Sequence, residues 1–101
     1  MNEWEAKVCA EIEALTRPVK IILYNEKKGM GGSVSAFKLC VVVEADDPRR
    51  LEEQIYMQVD SPVIFDVLVY SRADWDRLLD EPGSFAQRID RTGRLLYDQT
   101  R

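Results

Sequence analysis

The chain contains no histidine. That removes the commonest general base at neutral pH and the commonest transition-metal ligand. Ser-His-Asp triads and Cys-His dyads are therefore excluded within one chain. Cysteine is scarce as well: Cys9 and Cys40 lie far apart and form no CxxC motif, so they read as small buried thiols rather than a disulfide. No apolar run approaches the roughly 20 residues that span a bilayer, so no membrane partner is expected. Met1-Asn2-Glu3-Trp4-Glu5 is acidic and lacks the basic and apolar regions of a signal peptide, which makes the cytoplasm the expected location. There is no excess of basic residues. Fourteen Lys and Arg against 18 Asp and Glu give a net charge of −4, so no global field draws the chain to nucleic acid and none is expected as a partner.

What remains is an ordinary globular composition. With 46% hydrophobic and 32% charged residues over 101 positions, the sequence fits one domain, 1–101, able to bury a core without staples. It shows no internal repeat, linker or low-complexity segment.

Trp4, Val8, Ile12 and Leu15 recur at helical spacing and predict a helix over about Asn2 to Leu15, with Glu3, Glu5, Glu11 and Glu13 on its wet side. Pro18 stops it at Arg17. Val19 to Tyr24 is β-branched and aliphatic and predicts a strand. Asn25 to Ser35 reads as a loop, since Gly29, Gly31 and Gly32 oppose a helix there. Phe37 to Val43 predicts a second strand, central because Cys40 to Val43 is apolar on both faces.

Asp47 and Pro48 then form an N-cap and first turn, and Leu51, Ile55 and Val59 form the buried stripe of that helix. A third strand runs from Ile64 to Tyr70 with one acid, Asp66. Ser71 with Asp74 opens a helix that turns Trp75, Leu78 and Leu79 inward. Ser84 with Gln87 opens a last helix, which stops at Gly93. Leu95-Leu96-Tyr97 is apolar enough to dock back as a short strand. The expected class is therefore α/β (α+β): a small mixed sheet with helices packed on one face.

The order of these pieces carries a resemblance. Leu23-Tyr24 closes the first strand, and Lys27-Lys28-Gly29 supplies a basic loop. Ser35-Ala36-Phe37-Lys38-Leu39 leads into the second strand. Asp66 sits within Phe65-Asp66-Val67-Leu68-Val69. Glu81-Pro82-Gly83-Ser84 and Gly93-Arg94-Leu95-Leu96-Tyr97 close the chain. From about Leu15 to Asp98 this arrangement resembles the minimal nucleotidyltransferase family, of the polymerase-β-like nucleotidyltransferase fold. Members carry Gly-Ser after the first strand, Ser-Asp-x-Asp-Leu before the second, and a third Asp in the last long strand.

The departures fall on the chemistry. Gly-Ser is replaced by Asn25-Glu26, and the two Asp positions hold Ala36 and Lys38. Gly-Ser lets backbone and hydroxyl donors approach phosphates, whereas Glu26 brings a like charge. Acidic oxygens are what hold Mg²⁺ for this transfer, and Asp66 alone supplies one. The resemblance thus implies a degenerate member, leaning away from catalysis, with no catalytic residue, no metal ligand set and no Mg²⁺ or other cofactor expected. Asn25, Glu26, Ala36, Lys38 and Asp66 mark the degenerate site.

In a strand, Ala36 and Lys38 share a face. If Asp66 points there too, the Lys38 ammonium takes the metal's place beside it; the alternative is that Asp66 is simply a solvated strand residue. Lys27 and Lys28, with Gly29, Gly31, Gly32 and Ser33, form either an anion or nucleotide grip or an ordinary solvated turn. Trp4 and Trp75 read as core anchors, and Arg88, Arg91 and Arg94 as a wet face.

Three functions follow from the sequence. One is a catalytically inactive nucleotidyltransferase-like domain acting by protein binding or regulation. The resemblance implies a small all-helical protein partner for it. Another is a nucleotide binder or residual nucleotidyltransferase using the Lys27/Lys28 loop. The third is a homo-oligomeric structural domain, such as a homodimer, joined through a sheet edge or the Trp4 helix face.

Overall fold

The computed structural model describes residues 3–100. Its elements are α1 (Glu3–Thr16), β1 (Lys20–Lys28), β2 (Val34–Val43), α2 (Pro48–Gln58), β3 (Ile64–Ser71), α3 (Arg72–Leu79), α4 (Phe85–Thr92) and β4 (Arg94–Asp98). The four strands form one mixed sheet in the order β3-β2-β1-β4. β1 is antiparallel to β2 and to β4, while β2 and β3 run parallel. The parallel pair needs a crossover, and α2 supplies it.

Local chemistry sets most boundaries. Asp47 accepts a hydrogen bond from the Arg50 N–H at 3.2 Å and caps α2, with Pro48 in the first turn. The Ser71 and Ser84 hydroxyls accept from the N–H groups of Asp74 and Gln87 and cap α3 and α4. Arg17 takes a left-handed conformation (φ 47°) and ends α1 just before Pro18.

The β1–β2 hairpin is longer than its composition suggests. Asn25 to Lys28 and Val34 to Ser35 are strand rather than loop, because Asn25, Glu26 and Lys27 pair with Lys38, Phe37 and Ala36. Cross-strand hydrogen bonding overrides the low strand propensity of Asn, Glu and Lys. Only Gly29 to Ser33 turns, with Gly31 and Gly32 both at φ 82°. A register shift between Leu23 and Asn25 marks a bulge at Tyr24.

Helices cover both faces of the sheet, not one. Ile21, Leu23, Phe37, Leu39, Val41 and Val43 join Val8, Ile12 and Ile55 in a core beneath α1 and α2. The alternate residues Ile22, Cys40 and Val42 join Trp75, Ala86 and Ile89 beneath α3 and α4. A period of two sends successive side chains to opposite faces, so the doubly apolar run Cys40 to Val43 requires two covers.

The join between α4 and β4 depends on Gly93. Its backbone is not left-handed (φ −75°), so the constraint is space rather than conformation. A Cβ there would lie 2.5 Å from Ile22 Cγ2 and 2.6 Å from the Ile89 carbonyl oxygen. The absent side chain is what lets β4 pack down beside β1.

Candidate functional site at the strand ends

The end of β1 and the starts of β2 and β3 enclose a cleft of about 350 Å³. It is lined by Asn25, Glu26, Lys27, Ala36, Phe37, Lys38, Ile64, Phe65 and Asp66. Asn25, Glu26, Ala36, Lys38 and Asp66, the five positions singled out by the resemblance, therefore meet in one place. The register explains how: Asn25, Lys38 and Asp66 form one rung across three strands, and Lys27, Ala36 and Ile64 form the next one along the same face. The intervening rung of Glu26, Phe37 and Phe65 points to the α1 and α2 side.

Lys38 and Asp66 thus share a face, as expected, but the ion pair does not form. Both side chains are exposed at the strand ends, and no ammonium–carboxylate contact joins them. Water solvates each charge well there, and a surface pair offers too little to hold two side chains in one geometry.

The other expected members separate. Lys27 lines the strand-end cleft, whereas Lys28, Gly32 and Ser33 line a neighbouring one of about 740 Å³ with Glu3, Trp4, Glu5, Glu26, Val34 and Arg94. Gly29 and Gly31 line neither; the Gly29 N–H instead donates to the Ser33 carbonyl at 2.9 Å and closes the turn.

Glu26 links the two clefts. Its carboxylate accepts from Arg94 Nη2 at 3.2 Å. The same guanidinium donates to both oxygens of Glu5, at 3.1 and 2.7 Å. The hydrogen bonds to Glu5 raise the Arg94 pKa above its ordinary value, with further support from Glu26. Glu5 was expected on the wet face of α1 and Arg94 on a wet face near α4. Instead Glu5 is 2% exposed and is clamped by Arg94. The signal was present in the sequence: Glu5 precedes Val8, Cys9 and Ile12 by three, four and seven positions, which is the buried face of a helix.

Four aromatic rings brace the cleft from beneath. Trp4 stacks on Phe37 at 4.2 Å, Phe37 on Phe65 at 5.6 Å, and Phe65 on Tyr56 at 5.6 Å. Trp4 and Trp75 both serve the packing, as expected, with Trp75 fully buried. Cys9 and Cys40 are free and buried. Burial pushes the Cys40 thiol up to about 12 and, with Glu13 and Glu5 nearby, the Cys9 thiol up to about 11. Neither is a nucleophile at neutral pH.

Among the described residues, no three His, Cys, Asp or Glu side chains gather where they can share a metal ion. Ala36 and Lys38 bring a methyl and an ammonium group to the face that Asp66 shares, so these rungs offer a divalent cation a single carboxylate. No helix among the described residues is long and apolar enough to cross a membrane. Comparisons with protein-family models, with curated proteins and with solved structures find no match for the chain.

Proposed function

We propose that this chain is a binding domain derived from a nucleotidyltransferase-like ancestor, and that it recognises a protein partner at the strand-end cleft without transferring nucleotides. One observation carries the reading. The register brings Ala36, Lys38 and Asp66 onto one face of the cleft, and only Asp66 offers a carboxylate. Two-metal nucleotidyl transfer requires several acidic oxygens around the ions, and an ammonium at Lys38 opposes a cation electrostatically. The second acid lining the cleft, Glu26, is engaged by Arg94. The cleft's composition favours protein contact: Ile64 is 77% exposed at its rim, beside Phe65 and Ala36.

Lys27 and Lys38, on alternate rungs of the same face, support a second reading, metal-independent binding of an anion or nucleotide. A transfer assay separates catalysis from both. The protein is incubated with α-labelled ATP or GTP, Mg²⁺ or Mn²⁺, and protein and RNA acceptors. Both readings expect no label on any acceptor. Label incorporated by the wild type and lost in Asp66→Asn would overturn them.

A further inference from the structure

β3 is an outer strand, hydrogen-bonded to β2 on one side only. Along such a strand, alternate residues turn both their N–H and C=O groups away from the partner. Unpaired groups of this kind are a template for another strand. At Val67, near the middle of β3, a side chain occupies those positions. The Tyr56 hydroxyl accepts from the Val67 N–H at 2.8 Å and donates to the Val67 carbonyl at 3.3 Å. Tyr56 reaches there from α2, where it neighbours the buried Ile55, and its ring lies against Phe65. The hydroxyl makes the hydrogen bonds, and the ring that carries it stands over the same stretch of edge. Tyr56 itself is 45% exposed, so these contacts hold it at the surface rather than within the core.

We infer that the Tyr56 side chain is a removable cap on the β3 edge, and that without it β3 pairs antiparallel with β3 of a second copy of this chain, about Val67. The identity of the occupant follows from the strand itself. The outward groups of Val67 would exchange two hydrogen bonds with those of Val67 in the second copy, across a two-fold axis. That register sets Phe65 against Val69, Ile64 against Tyr70, and Asp66 against Leu68. Aromatic and β-branched residues make favourable cross-strand pairs. Like charges directly opposite would be unfavourable, and here the one charge in the strand, Asp66, faces a leucine. The strand is therefore complementary to itself, and the two-fold operation closes at a dimer. The inference does not depend on the strand-end cleft being a binding site.

The test uses Tyr56→Ala, which removes both the hydroxyl and the ring that carries it. Amide hydrogen exchange reads the cap, and sedimentation velocity over a concentration series reads association. At low concentration, where the variant is monomeric, the Val67 amide should exchange roughly tenfold faster than in the wild type, the factor that one lost hydrogen bond gives. At higher concentration the variant should shift towards a dimer more than the wild type does. Adding Ile64→Asp, at a site that is 77% exposed and would face Tyr70 of the second copy, should restore the wild-type sedimentation profile. An unchanged Val67 amide overturns the cap. A variant that sediments as the wild type does at every concentration overturns the pairing. Open-ended oligomers, or a dimer indifferent to Ile64→Asp, place association elsewhere and also overturn it.

Discussion

Replacing Arg94 by alanine should destabilise the fold far more than its half-exposed position suggests. The guanidinium makes two charge-assisted hydrogen bonds, at 3.1 and 2.7 Å, to a carboxylate that is 2% exposed. Deleting one partner of a buried pair costs about 3–5 kcal/mol, because the other charge stays in a medium that solvates it poorly. Arg94 is 50% exposed, so water entering the space it vacates recovers part of that cost. The expected loss is about 2–3 kcal/mol. For a domain of this size that lowers Tm by roughly 10–15 °C. Glu26 provides the internal comparison: its single bond to the same guanidinium is 3.2 Å long and its side chain is 25% exposed, so Glu26→Gln should cost about 0.5 kcal/mol. Urea unfolding of Arg94→Met, Glu5→Gln and the double variant measures the coupling directly. A coupling energy of at least about 1.5 kcal/mol is expected. A coupling near zero, or equal losses for Glu5→Gln and Glu26→Gln, would refute the view that burial gives this pair its strength.

Three further outcomes are expected. Gly93→Ala should destabilise by about 1–3 kcal/mol, read by urea unfolding, because its Cβ would meet Ile22 and the Ile89 carbonyl at 2.5 and 2.6 Å. A neutral result would mean that β4 can lift from β1 freely. Lys38→Ala should change stability by less than about 0.5 kcal/mol in the same measurement, since Lys38 is exposed and makes no ion pair with Asp66. Stability should fall in alkali: the Cys40 thiol is raised from 9.0 to about 12 and the Cys9 thiol from 9.0 to about 11, both chiefly by burial. The unfolded chain therefore releases these protons first, so their contribution is complete below pH 9.0 and is lost as pH rises through 11 to 12. Urea midpoints across that range should fall less steeply for Cys40→Ala than for the wild type.

The repeating features of the fold were legible because they rest on short-range chemistry. Asp47, Ser71 and Ser84 cap helices wherever they meet a free N–H. The run Cys40 to Val43 announces a central strand through its apolar character on both faces. That same run pointed to two layers of helices, yet the sequence does not say on which side α3 and α4 fold back, so a one-sided cover was expected. The hairpin arms were missed because Asn25 to Lys28 become strand only by pairing with Val34 to Lys38, a gain that appears only when both arms are present. The candidate site was partly legible. The positions Asn25, Glu26, Ala36, Lys38 and Asp66 do converge, because rungs of a sheet align residues that are far apart in sequence. Local patterns carried no trace of the link between Glu5 and Arg94, which lie 89 positions apart, and Glu5 was read as wet although its spacing to Val8, Cys9 and Ile12 is that of the buried face. The gap left by Gly93 and the Tyr56 cap on Val67 likewise depend on distances that only the folded chain supplies.

Calorimetric titration with ATP and with GTP, each with and without Mg²⁺, tests the proposed function most directly. A binding domain that has lost nucleotidyl transfer should give no Mg²⁺-dependent heat with either nucleotide. Heat that appears without Mg²⁺ and vanishes in Lys27→Ala or Lys38→Ala would favour the anion-binding form of the same reading. Binding that requires Mg²⁺ and is lost in Asp66→Asn would contradict both forms, because it would mean that one carboxylate at this cleft is enough to hold the metal and its nucleotide.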